Sequence, residues 1–97
     1  MNSEDTQAKP AAAGLSLIME RFSEDKAALR RLFQGSRSFQ SLCHDYRECH
    51  AALHNWQEST SEEASAWREE YANLLLELEQ EVRQYLENEA AFSTGLR

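Results

Sequence analysis

Apolar residues recur along this chain at helical spacing, by threes and fours. Phe39, Leu42, Tyr46, Cys49, Leu53 and Trp56 advance in that way, which puts all six on one stripe of an α-helix. The spacing predicts a helix over about 38–57. Its other face carries Ser41, Asp45, Glu48, Ala52 and Asn55, residues suited to water. A second stripe is formed by Trp67, Tyr71, Leu74, Leu78, Val82 and Tyr85, and predicts a helix over about 61–91. In the connection, Ser59 with Glu62 and Thr60 with Glu63 each match a capping box. Gly95 stands where that helix can stop.

The connection is short, so the two helices should lie antiparallel. Laid that way, the stripes fall into register. Trp56 meets Trp67, Leu53 meets Tyr71, and Cys49 meets Leu74. Tyr46 then meets Leu78, Leu42 meets Val82, and Phe39 meets Tyr85. The second helix has more apolar surface than one partner needs. Leu75 and Leu86 lie roughly 60–80° around from Leu78 when each residue advances 100°. Leu75, Val82 and Leu86 therefore form a candidate interface. It is to be covered by the N-terminal helix, giving a three-helix bundle, or by a second subunit, giving a dimeric bundle. Leu76 sits alone on the opposite side.

Upstream, Leu15, Ile18, Phe22, Leu29 and Leu32 follow the same pattern with a gap at Asp25. This predicts a helix over about 15–34, kinked or broken near Ser23, which is able to cap a second segment. Gly35 is placed to close it in the left-handed conformation, and Ser36 or Ser38 to cap the next helix. Residues 1–13 lack apolar periodicity and read as a flexible tail. The expected organisation is that tail, a single helical domain over 14–92, and a C-terminal tail over 93–97.

Composition agrees with an all-α class. There are three Gly and one Pro in 97 residues, while Ala, Leu, Glu, Gln and Arg, all strong helix formers, dominate. So short a chain makes one domain with a modest core, and partners or self-association often supply further burial. The net charge of −7 is unevenly spread. Residues 1–57 are balanced, whereas 58–89 hold ten Glu against Arg68 and Arg83. That distribution argues against nucleic-acid backbones and against anionic membrane surfaces. Cys43 and Cys49 would be ~9 Å apart along one helix axis, too far to form a disulfide. Free thiols, no secretory leader and no span of membrane length together read as a cytoplasmic protein.

The positions Phe39, Leu42, Tyr46 and Leu53, together with the segment LELEQEVRQYL over 76–86, resemble the two helices of the small bacterial YdcH-like hairpin proteins. The likeness covers about half the chain. It departs where that family is rich in Arg and Lys, since Leu75, Glu77, Glu79 and Gln80 stand there instead. The N-terminal 35 residues are additional. The resemblance implies a helical hairpin that self-associates or binds a partner, and it brings no catalytic residues.

Candidate chemistry centres on Cys43, His44, Cys49, His50 and His54. Their spacing fits neither haem attachment nor a zinc finger. His50 and His54, at i and i+4, are able to hold two positions of a metal such as zinc, with further ligands from another helix or subunit. No Glu stands between them as a general base. The Glu-x-x-His pattern of di-iron bundles is missing. Cys49 lies on the core stripe. Cys43, at the stripe's edge, is an accessible redox-sensitive thiol on this reading. Glu77, Glu79, Glu81, Glu87 and Glu89 read as a solvated face, with Arg30, Arg31, Arg37 and Arg47 as available counter-charges. The aromatics sit at core spacing. The expectation is a non-enzymatic protein that works by protein–protein interaction, with a homodimer or another protein as partner. The alternative is a metal- or redox-responsive regulator using His50, His54 and Cys43.

Overall fold

The structure is a computed structural model and describes residues 3–95. Those residues form four α-helices and no strand, so the chain is an all-α helical bundle. The helices are α1 (Ser3–Arg21), α2 (Lys26–Gly35), α3 (Arg37–Gln57) and α4 (Ala64–Gly95), with a short 3-10 turn over Ser23–Asp25 between the first two. The molecule measures 56 × 35 × 19 Å. Its long axis follows from α4, whose 32 residues span ~48 Å at 1.5 Å each. The other two dimensions suit a flattened array about three helices wide, since a helix with side chains is ~10 Å across.

The hairpin of α3 and α4 has the expected register. Trp56 and Trp67 stack at 5.8 Å beside the connection, and Phe39 meets Tyr85 edge-on at 5.2 Å at the open end. Such aromatic pairs add about 0.5–1.5 kcal/mol beyond the area they bury. Ser36 caps α3, its hydroxyl accepting from the Phe39 N–H at 3.1 Å. Gly35 does not take the left-handed conformation, because the chain turns through an extended Ser36 instead. Neither Ser59 nor Thr60 forms its capping box among the described hydrogen bonds. Ser59 accepts from the Ser61 N–H, and α4 begins at Ala64, later than the box would start it.

The N-terminal half differs more. The break near Ser23 is present, but Ser23 caps nothing; the flanking Phe22 and Asp25 make no side-chain cap either. The expected tail is helical from Ser3 onward, despite Pro10, which has no N–H to give the preceding turn. Residues 93–95 likewise continue α4, while the rest of the two expected tails, 1–2 and 96–97, lies outside the described residues.

The reason α1 extends back is its contact with α3. Ala11, Gly14, Leu15 and Ile18 recur by threes and fours and are all buried. At Gly14 the two backbones meet: a Cβ there would stand 1.8 Å from the Cys43 carbonyl oxygen. Only glycine permits this approach. The helix α3 is thus central, with α1 packed on one flank and α4 on the other.

In this arrangement most of the spare face of α4 is covered within the chain. Leu75 and Val82 join one core cluster with Ala11, Leu15 and Ile18, and Leu86 packs against it half-buried. Within the one chain Leu75 and Val82 are thus buried and Leu86 is half-buried, as in the three-helix alternative in which the N-terminal helix folds back.

Candidate functional site

Two features stand out once the helices are placed: a polar node inside the core and an open groove outside it. The node joins three helices. Glu79 of α4 is 6 % exposed. Its Oε2 accepts from the Tyr46 hydroxyl of α3 at 2.9 Å and from Nε of Arg21 of α1 at 3.3 Å. Burial, the hydrogen bond to Glu79 and its negative charge push the Tyr46 phenol well above its ordinary range. Tyr46 therefore stays protonated and donating at any physiological pH. No buried side-chain nitrogen or oxygen is left without a partner among the described residues. Every polar group of the node is satisfied, so its chemistry is that of a staple.

The sequence pattern did not pick out Glu79 from its neighbouring acids. The signal was there in the spacing: Glu79 stands four residues after Leu75 and three before Val82, on the same buried stripe. Glu89 also departs from a solvated face, since it is half-buried and paired with Arg31 at 2.6 Å.

The groove lies between α3 and α4 and encloses about 540 Å³. Its floor is Cys49, Ala52, Tyr71, Leu74 and Leu78. Its banks are acidic on both sides, Asp45 and Glu48 from α3 and Glu77 and Glu81 from α4. On α3, these residues point roughly opposite Cys43, at 100° per residue, so the groove opens on the face away from α1. Leu74 is 40 % exposed and Trp67, whose ring lies 6.1 Å from that of Tyr71, is 39 % exposed. Both belong to the apolar stripe expected to be core. The buried side of α4 is instead centred on Leu75, Val82 and Leu86, rotated by about 60°. The uncovered edge of the stripe is the groove wall.

The candidate metal and redox residues do not converge. His50 and His54 are both exposed. The His50 ring stacks on Tyr46 at 6.5 Å, and His54 Nε2 lies 3.3 Å from Glu58 Oε1. Among the described residues no group of three or more His, Cys, Asp or Glu is placed to hold a metal ion. Cys43 is not accessible as expected; it is completely buried beneath Gly14, and that burial pushes its thiol up to about 12. A thiol in that state is neither a good nucleophile nor a ready target for oxidation. Cys49, also raised by burial, donates to the Tyr71 carbonyl at 3.3 Å.

No family model, curated protein or solved structure matches the chain. Among the described residues, no helix is long and apolar enough to cross a membrane.

Proposed function

We propose that this chain is a non-enzymatic interaction module that binds a partner protein in the α3/α4 groove. The observation that carries the reading is the uncovered half of α4. Leu74 and Trp67 remain about two-fifths exposed beside an apolar floor, although α1 is folded over the other flank of α3. An apolar strip rimmed by charge on a small protein is the common form of a protein-binding surface. The non-enzymatic part rests on the buried, protonated Cys43 and on His50 and His54, which face solvent and among the described residues join no group of three or more metal-ligating side chains. Cytoplasmic placement rests on the two free thiols. The likeness to YdcH-like hairpins falls on α3 and α4, the two helices that form the groove.

The test is site-specific photo-crosslinking in the cells of origin. A photoreactive phenylalanine analogue replaces Leu74 in one strain and Leu76 in another. Leu76 is 55 % exposed on the same helix but does not line the groove. A discrete cross-linked protein at position 74 that is missing at 76 is the expected result. Identical patterns, or no adduct at 74, would refute the groove as the binding surface.

A further inference from the structure

We infer that the groove's occupant is a basic amphipathic helix of another protein, an inference that rests on the groove reading above. Helix-in-groove recognition needs an apolar floor of a few turns. From Tyr71 to Glu81 the groove follows α4 for ~15 Å, nearly three turns. The polar surroundings specify the flanks of the ligand. Asp45 and Glu48 stand on one bank and Glu77 and Glu81 on the other, and no Lys or Arg lines the groove. A helix lying between them with Lys or Arg on both edges meets acid on either side.

On the α4 bank the chain supplies no counter-charge of its own among the described residues. Glu77 and Glu81 are like charges at i and i+4, mildly destabilising alone, and neither has an ion pair among the described residues. Arg31 is engaged elsewhere, with Glu89 at 2.6 Å, and Arg47 lies 3.7 Å from Glu48 on the α3 bank, so the chain offsets part of the charge there but not on the α4 bank. On the α3 bank, the His44 ring lies 3.9 Å from Asp45 and 3.6 Å from Glu48.

A second copy of the chain is a poor occupant. Its basic helix is α2, with Lys26, Arg30 and Arg31 and no acid, but α2 already buries Leu29 completely in its own core. Two chains of net charge −7 also repel. The apolar floor disfavours a small cation, and the acidic banks disfavour nucleic acid and anionic lipid.

The experiment uses the full chain and two synthetic peptides of about eighteen residues, long enough for the groove's ~15 Å. Both carry leucines at i, i+3, i+4 and i+7; one has Lys on its flanks and the other Glu. Binding is followed by tryptophan fluorescence and by calorimetry at low and physiological salt. We expect the Lys peptide to bind, more weakly as salt rises. Leu74→Asp should abolish binding. The double variant Glu77→Lys/Glu81→Lys should weaken it by about tenfold and favour the Glu peptide. All three positions are exposed, so the fold tolerates these changes, and circular dichroism checks that it does. Equal binding of the two peptides would overturn the basic helix while leaving the groove reading intact. So would no binding of either peptide by a chain that still gives the Leu74 crosslink. Binding that survives Leu74→Asp would reduce the effect to surface charge and overturn the inference. Self-association that Leu74→Asp abolishes would show that a second copy is the occupant and overturn it equally.

Discussion

At the scale of single residues, the most informative group is the Glu79 carboxylate. A buried acid is costly unless its partners satisfy it, and here Tyr46 and Arg21 do so from two other helices. Removing one partner should cost more than removing both. Tyr46→Phe deprives Glu79 of its shorter hydrogen bond and should destabilise the fold by about 1–3 kcal/mol. Glu79→Leu leaves the Tyr46 hydroxyl buried and unsatisfied, with a similar cost. In the double variant Tyr46→Phe/Glu79→Leu an apolar contact replaces the bond, and much of the loss should return. Urea unfolding of the three variants gives the coupling directly. Strict additivity would mean that the two side chains do not depend on one another. The node was hidden in the sequence because a Glu among ten Glu looks like surface. Only the period of its apolar neighbours distinguishes it. The candidate thiol misled for a related reason: Cys43 sits at the edge of the α3–α4 stripe, and what buries it is a third helix. A glycine is a faint signal of close approach until its partner is known.

At the scale of elements, the two stripes of α3 and α4 were legible because aromatic layers fix their register from both ends. What the pattern left open is rotation. An apolar arc wider than one partner can cover has two possible edges to expose. Judged from spacing, the centre falls near Leu74 and Leu78, with Leu75 and Leu86 left over. In the fold the core claims Leu75, Val82 and Leu86, and Leu74 is outside. The choice is made by α1, whose small residues Ala11 and Gly14 bring Leu15 and Ile18 close enough to share that core. The break over residues 22–25 then sends α2 across the open end, where Arg31 reaches Glu89. The rotation has a direct consequence. Leu75→Ala should cost about 2–5 kcal/mol, as for a buried leucine, and Leu74→Ala well under that. Thermal and urea unfolding of the two neighbours should separate them clearly. Equal losses would mean that Leu74 belongs to the core and that the groove is closed.

At the scale of the whole molecule, α1 determines whether this chain is a closed unit or an open hairpin. It completes the core on one flank of α3 and leaves the apolar groove open on the other. Without α1, the hairpin would expose the flank around Cys43, Val82 and Leu75 as well. The 76 residues that remain without 1–21 would bury a smaller, marginal core, and association then covers the second face. We therefore expect a version lacking residues 1–21 to lose its cooperative unfolding transition as a monomer and to form dimers or larger species. The intact chain at the same concentration should not form them through that flank. Sedimentation equilibrium measures this, with Gly14→Leu in the full-length chain as a milder form of the same lesion. That variant keeps α1 but pushes it off Cys43, because the bulk would have to enter the space of a backbone carbonyl. If both variants remain folded monomers, α1 is an ornament on a self-sufficient hairpin. If both associate, then closure by α1 is what keeps the flank around Cys43, Val82 and Leu75 covered and leaves the α3/α4 groove as the open one.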